Sequence, residues 1–385
     1  MTLPLRSVSW LLGLGFALVA GASLAVHFVM LWSGHEFIFG IGPALDIRGR
    51  RNIVAWVTSI GYAMAAATAS SVYLVARRGR GAGPLLWLSV AGLCLALSLA
   101  PPSASAPART WADNAAARVV VVRLCEWAGA VLLCDAAIRA LLGACRGRLR
   151  IARTTAGSAL RADRVFVTCL SITATLLVVS TASAGGQLGI WPGDERIYRF
   201  LYVDFEGNLP SWFSAMLLFA CALAAALVAC AGREARQPRW RTWAVISVGL
   251  LALSCDEAAS LHELLTTPFR SLLHDAPAFR YPLILPGAAA VAIAASGLWK
   301  FYGELPRDSR RSLLSASAVF LVGALGVETA GGWFDPEVHG ESLTYVGLAT
   351  LEEGCEMVGV SGTLHGILRH FERHVGPVTL LLDES

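Results

Sequence analysis

Residues 211–231 read SWFSAMLLFACALAAALVACA, a run of 21 residues without a charged side chain. A helix needs about 20 mostly apolar residues to cross the hydrocarbon core of a bilayer. Nine further stretches of this kind flank the run, so we predict ten membrane-spanning helices. Their approximate bounds are residues 8–32, 53–76, 84–100, 119–143, 164–184, 211–231, 242–263, 282–302, 312–331 and 343–368.

The composition of the whole chain agrees with this interpretation. Of the 385 residues, 56% are hydrophobic and 15% are charged, whereas soluble domains carry about 45–50% and 25%. A soluble protein must cover its surface with polar side chains, so this composition excludes a soluble enzyme and a disordered protein. The nine Cys residues form no Cys-x-x-Cys pair, which argues against a disulfide framework. We predict an all-α, polytopic membrane protein.

The distribution of basic residues predicts the orientation of the ten helices. One set of helix ends carries 21 Arg and Lys residues, and the opposite set carries nine. Loops rich in Arg and Lys face the cytoplasm. We therefore expect a membrane protein with both termini in the cytoplasm. The net charge of +4 then reflects loop topology rather than nucleic-acid binding, and membrane lipid is the only partner that we predict.

The sequence also contains a candidate internal duplication. An offset of 156 residues aligns Asn52, Trp56, Trp87 and Ser98 with Asn208, Trp212, Trp243 and Ser254. Rare residues at fixed spacing indicate a parallel repeat, in which spans one to four correspond to spans five to eight. We predict a degenerate four-span repeat over residues 1–150 and a six-span repeat over residues 151–385. The first copy lacks the ionisable groups that follow Ser254 in the second.

Polar side chains of the second copy gather near one end of its helices. At about 1.5 Å per residue, the acidic groups of spans seven, nine and ten all fall in the outer half of the membrane. Asp256, Ser260 and Glu263 are expected to share one face of span seven. The candidate site residues are Glu206 and Asn208 before span six, Asp256, Glu257, Ser260, His262 and Glu263 at the end of span seven, Glu328 and His339 at and after the end of span nine, and Glu352, Glu353 and Glu356 within span ten.

Three functions are compatible with this set of residues. A charged side chain inside a bilayer costs about 2.5–3.5 kcal/mol on the insertion scale, so intramembrane carboxylates call for a functional explanation. They could hold a divalent metal ion that activates water in a membrane enzyme. They could carry a transported cation or proton. They could instead form a hydrated outer vestibule with a structural role or a partner to bind.

The metal-dependent enzyme is our first hypothesis, with a lipid-like or amphiphilic substrate approaching from the outer leaflet. Its candidate general bases are Glu257, Glu328 and Glu352. Glu206, Asn208, Ser260 and His339 would support the site or contact the substrate. No His-Glu-x-x-His or di-iron Glu-x-x-His motif occurs in this set, so the identity of the metal stays open. The predicted metal ligands are Asp256, His262, Glu263, Glu353 and Glu356.

The inner end of span ten carries a second group of ionisable residues. They are His365, Arg369, His370, Arg373 and His374. We interpret this group as a solvated, lipid-facing helix end. The alternative is a metal site at His370 and His374, which are four residues apart.

Three stretches resemble a widespread family of uncharacterised bacterial multi-pass membrane proteins. They are residues 206–214 (EGNLPSWFS), 253–263 (LSCDEAASLHE) and 351–359 (LEEGCEMVG). The resemblance extends over roughly residues 160–370. It implies an inner-membrane setting and a single site built from the three motifs, but it implies no particular activity.

Overall fold

The computed structural model of this chain describes residues 60–62, 65, 147–153, 162–260, 284–331, 342–375 and 378–384. The chain divides into two compact units, one of Met1–Ala152 with Thr379–Ser385 and the other of Arg153–Val378. The predicted spans one to four, and with them the first copy of the repeat, lie outside the described residues apart from 60–62 and 65. The repeat and the ten-span count therefore stay predictions.

Two strands of seven residues accompany the helices. The strands β1 (Gly147–Arg153) and β2 (Val378–Glu384) pair in a two-stranded sheet. We predicted no strand in either segment. The β2 segment reads VTLLLDE, and its apolar and β-branched residues are of the kind that favour extended backbone.

The described regular structure between residues 162 and 375 is helical throughout, as the all-α prediction requires. Two π-helical segments, Val322–Val327 and Phe371–Val375, continue α-helices that end at Leu321 and His370, and the first runs directly into a helix that begins at Glu328. The α-helices are α1 (Ala162–Gln187), α2 (Glu195–Leu201), α3 (Leu209–Glu234), α4 (Trp240–Ala259), α5 (Ile284–Glu304), α6 (Arg307–Leu321), α7 (Glu328–Gly331) and α8 (Leu343–His370).

In the part of the chain that the structure describes, four helical segments are long and apolar enough to cross a membrane. They are Ala162–Gln187, Leu209–Arg233, Trp240–Ala259 and the continuous segment Arg307–Gly331. These segments correspond to the predicted spans five, six, seven and nine. Helices are also present at the predicted spans eight and ten, where α5 and α8 lie.

Helix α4 ends earlier than the sequence indicated. We predicted a span over residues 242–263, but the helix stops at Ala259, and Ser260 adopts a left-handed conformation with φ of 50°. A residue in this conformation terminates an α-helix. The expectation that Asp256, Ser260 and Glu263 share one helical face is therefore wrong for Ser260, and Glu263 lies outside the described residues.

Helix α8 runs through the centre of the unit and packs against α1, α3 and α6. It lies antiparallel to α1, because Asp163 contacts His365 at one end and Leu177 lies against Gly354 further along. The approach to α6 is close: a Cβ atom on Gly359 would lie 2.6 Å from the backbone nitrogen of Phe320. The apolar core around these helices includes Leu217, Cys221, Trp243, Phe301, Leu313, Leu364 and Ile367.

Residues that define the predicted repeat have structural roles in the second copy. Asn208 caps the first turn of α3. Trp243 is buried against Phe301 in the core. The hydroxyl of Ser254 is fully buried and donates to the carbonyl oxygen of Ala215 at 2.7 Å, which ties α4 to α3.

Candidate carboxylate site

Acidic side chains from four segments come together in the helical unit. Glu353 interacts electrostatically with Asp204, Glu257, Glu352 and Glu356. Glu352 also interacts with Glu328 on α7. These electrostatic interactions link the loop before α3, the end of α4, the start of α7 and the middle of α8. We call this set the carboxylate cluster: Asp204, Glu257, Glu328, Glu352, Glu353 and Glu356.

The cluster contains five of the predicted site residues, and four other predicted residues that the structure describes are not members of it. Asp256 directly precedes Glu257 on α4, so its side chain leaves the helix about 100° away. Glu206 is half-buried in the loop before α3. Ser260 is buried at the end of α4, and its hydroxyl has no hydrogen-bond partner among the described residues. The predicted residues His262, Glu263 and His339 lie outside the described part of the chain.

Asn208 fixes the loop that carries Asp204. Its side-chain oxygen accepts a hydrogen bond from the backbone N–H of Ser211 at 3.2 Å, which caps α3. Its side-chain nitrogen donates to the carbonyl oxygen of Tyr202. Gly207, with φ of 69°, provides the turn between the Asp204 loop and α3. Asn208 was predicted to support the site, and here it holds the loop against the helix.

Two more hydrogen bonds attach this loop and α3 to their neighbours. The backbone N–H of Val203 donates to the fully buried hydroxyl of Ser180 on α1 at 3.0 Å. The hydroxyl of Ser211 donates to the carbonyl oxygen of Glu257 at 3.4 Å. The backbone around the cluster is thus held by bonds between α1, α3 and α4, which limits how far the carboxylates can separate.

Sequence reasoning missed Asp204 and Tyr345. The phenol of Tyr345, in the first turn of α8, donates to both carboxylate oxygens of Asp204 at 3.1 Å. The available signal for Asp204 was its position two residues before Glu206, in the loop already singled out. Tyr345 carried no such signal, because it lies 141 residues from Asp204 in the sequence.

A close backbone approach positions α8 beside the π-helical segment. A Cβ atom on Gly323 would lie 2.9 Å from Cβ of Cys355 and 3.1 Å from Cγ of Glu356. Only a residue without a side chain allows this approach. π-Helical turns inside longer helices occur frequently at functional sites, and this one leads directly into Glu328.

The predicted metal centre is not assembled by the described residues. In this part of the chain, no three Asp, Glu, His or Cys side chains are placed to hold a metal ion together. Two of the five predicted ligands, His262 and Glu263, are not among these residues. Asp256, Glu353 and Glu356 therefore do not make a metal site by themselves.

Among the basic residues near the end of α8, Arg373 and His374 are exposed, as we predicted for a solvated helix end, whereas His370 is buried. His365 contacts Asp163 at 2.9 Å, and Arg373 donates to Asp308 at 2.7 Å. His370 is buried, and its Nδ1 lies 2.9 Å from the hydroxyl of Ser309. The first turns of α1 and α6 supply the two acids, so these contacts fasten the end of α8 to both helices.

A comparison with protein families assigns the chain to one of them. The sequence pattern of a domain of unknown function, DUF8692, matches residues 166–371, which is more than half of the chain. This protein belongs to the DUF8692 family. The matched region of this DUF8692 protein extends from α1 to the end of α8 and includes every member of the carboxylate cluster. No curated protein and no solved structure matches the chain.

Proposed function

We propose that this DUF8692 protein is a multi-pass protein of the bacterial inner membrane, with both termini in the cytoplasm, and that its carboxylate cluster binds a proton or small cation during transport. The four apolar helical segments support the membrane setting. The excess of 21 basic residues over nine at opposite helix ends supports the orientation. In that orientation the cluster opens towards the extracytoplasmic side.

One observation carries the proposal: Glu353 interacts electrostatically with four other acids, Asp204, Glu257, Glu352 and Glu356. Like charges repel one another more strongly in a medium of low dielectric constant than in water. A proton or cation bound among them relieves this repulsion. Reversible binding of this kind is what a coupling site in a transport protein requires.

Buried hydroxyls deeper in the bundle support transport over a purely structural role. The hydroxyls of Thr173 and Ser361 are buried and have no hydrogen-bond partner among the described residues. Both lie between the contact of Leu177 with Gly354 and the contact of Asp163 with His365. They provide polar groups between the carboxylate cluster and the C-terminal end of α8.

The proposal is tested by carbodiimide labelling of the full-length protein in proteoliposomes. A carbodiimide modifies protonated carboxyl groups in apolar surroundings, and mass spectrometry locates the product. We expect labelling of the α8 peptide in wild type, its loss in Glu353→Gln, and protection by a cation that binds the cluster. The matched control is Glu195→Gln, which changes an exposed acid paired with Arg199. An α8 peptide that stays unlabelled at every pH, or is labelled equally in Glu353→Gln, would contradict the proposal.

A metal-dependent membrane enzyme acting on a lipid-like substrate is the second candidate. The end of α4 at Ala259 favours it, because His262 and Glu263 follow within four residues. These two side chains would complete a ligand set with Asp256, Glu353 or Glu356. Elemental analysis of the purified protein distinguishes the candidates: stoichiometric metal in wild type that is lost in both His262→Ala and Asp256→Ala supports the enzyme. Metal-free wild type that takes up none on soaking rejects it.

A further inference from the structure

A cavity of about 250 Å³ lies at the end of the helical unit opposite the carboxylate cluster. The distance along α8 from Glu353 to His370 is roughly 25 Å. Residues of the α3–α4 turn, the α5–α6 turn and the end of α8 line the cavity, among them Gln237, Arg239, Trp243, Pro306, His370 and His374.

The ionisable side chains that the described residues contribute to the cavity wall are all bases. They are Arg239, His370 and His374. The acids near them are already engaged: Glu304 accepts from Arg239 Nε at 3.1 Å, and Asp308 accepts from Arg373 at 2.7 Å. Each of these acids is matched by an arginine, and the wall itself carries no Asp or Glu from the described residues. At neutral pH Arg239 supplies the positive charge of the wall; Glu304 meets its Nε atom, and its terminal amino groups are suited to an anion.

Two helices begin at the cavity. Arg239 precedes the first residue of α4, and Pro306 precedes the first residue of α6. Neither residue forms a side-chain hydrogen bond that caps its helix. The first backbone N–H groups of a helix and its dipole attract negative charge. At α6 the carboxylate of Asp308 already accepts a hydrogen bond from the backbone N–H of Ser309, so it is the start of α4 that adds to the attraction of Arg239.

The rest of the cavity is rigid and lies in a strongly basic part of the protein. Trp243 is buried, with its ring centroid 5.3 Å from that of Phe301 and 5.1 Å from that of His370. Close by, Arg233 and Arg241 both lie over the ring of Trp240, at 5.4 and 5.6 Å from its centroid. The surrounding positive charge favours an anionic lipid surface.

We propose that this cavity binds a phosphate group, carried either by the headgroup of an anionic phospholipid or by a free phosphate compound. A volume of about 250 Å³ holds roughly eight water molecules at about 30 Å³ each, which is enough for a phosphate with a short substituent. The planar guanidinium of Arg239 can donate two parallel hydrogen bonds to phosphate oxygens. Gln237 adds an uncharged side-chain amide to the wall.

The test measures binding to the full-length protein in a neutral detergent. The probes are dihexanoyl-phosphatidylglycerol, dihexanoyl-phosphatidylcholine and inorganic phosphate, each titrated while the thermal unfolding midpoint is recorded. We expect phosphatidylglycerol to raise the midpoint saturably in wild type. Arg239→Gln should weaken its binding by about tenfold, since a charge-assisted hydrogen bond is lost.

Two further variants keep the test decisive. Gln237→Glu places a negative charge in the wall without removing the pair of Arg239 with Glu304, and it should weaken phosphatidylglycerol binding to a similar extent. Arg241→Gln is the matched control, because Arg241 contacts Trp240 outside the cavity wall, and it should bind as wild type does. Saturation by phosphate that competes with phosphatidylglycerol identifies a free phosphate ligand, and saturation by phosphatidylglycerol alone identifies a lipid. Equal stabilisation by phosphatidylcholine, or unchanged binding in both cavity variants, overturns the proposal.

Discussion

The backbone carbonyl oxygen of Glu352 lies 2.7 Å from the point that a Cβ atom on Gly323 would occupy. The π-helical segment and α8 therefore touch through backbone atoms at the level of the carboxylate cluster. Glu328 follows that segment on one side of the contact, and Glu352 lies on the other. The absence of a side chain at one residue thus sets how closely the acids of two helices approach.

Gly323→Ala should destabilise the protein. The added methyl group meets backbone oxygen and two side chains, and overpacking of this kind typically lowers the free energy of unfolding by about 1–3 kcal/mol. Gly326→Ala is the matched control in the same segment, because a Cβ atom there meets nothing within 4 Å. Thermal unfolding in detergent, followed by tryptophan fluorescence, measures the difference. Equal midpoints for the two variants would show that the segment shifts without penalty.

Asn208→Ala should also lower stability, by about 1–2 kcal/mol, because it removes a helix cap and the bond to Tyr202. Asn208→Ser keeps an oxygen that can cap the helix but loses the second bond, so its loss should be smaller. We expect the unfolding midpoint to decrease from wild type to Asn208→Ser and again to Asn208→Ala. If Ser and Ala are equally destabilised, the cap contributes nothing measurable.

Two buried serines should respond differently to replacement by alanine. Ser254 donates a hydrogen bond to Ala215, so Ser254→Ala should cost about 1 kcal/mol. Ser361 has no hydrogen-bond partner among the described residues, so Ser361→Ala should change the free energy of unfolding by less than about 0.5 kcal/mol. Both variants are measured in the same unfolding assay. A large loss in Ser361→Ala would mean that its hydroxyl has a structural bond after all.

His370 should make the protein less stable in acid. Burial lowers the pKa of this side chain from 6.5 to about 4, helped by His374 and Arg239 and opposed by Asp308. Below about pH 6.5 the unfolded chain binds a proton that the folded protein does not, so this contribution to stability is lost as pH falls towards 4. His370→Asn, whose amide can still meet Ser309, should show a shallower fall in unfolding midpoint between pH 6.5 and 4. Parallel curves for the two proteins would contradict the assignment.

The sequence predicted helices well where apolar runs are long, and it predicted their ends less well. The runs behind α1 and α3 exceed the length that a bilayer requires, so hydropathy alone finds them. The end of α4 depends on the backbone conformation of Ser260, which a hydrophobic pattern does not register. The same limit applies to the bonds around the cluster, since the partner of Asp204 is 141 residues away.

By itself the amino-acid sequence determined that this is a helical, membrane-type protein with acidic residues in three motifs of its second half. It did so because apolar length and the energetic cost of intramembrane charge are local properties of the chain. Only the tertiary structure decided which acids interact, that Asp204 joins them, and that residues from three segments, with bases from two of them, line a cavity at the other end. Those outcomes depend on helix packing, where a missing side chain at Gly323 or a turn at Ser260 sets distances between residues far apart in sequence.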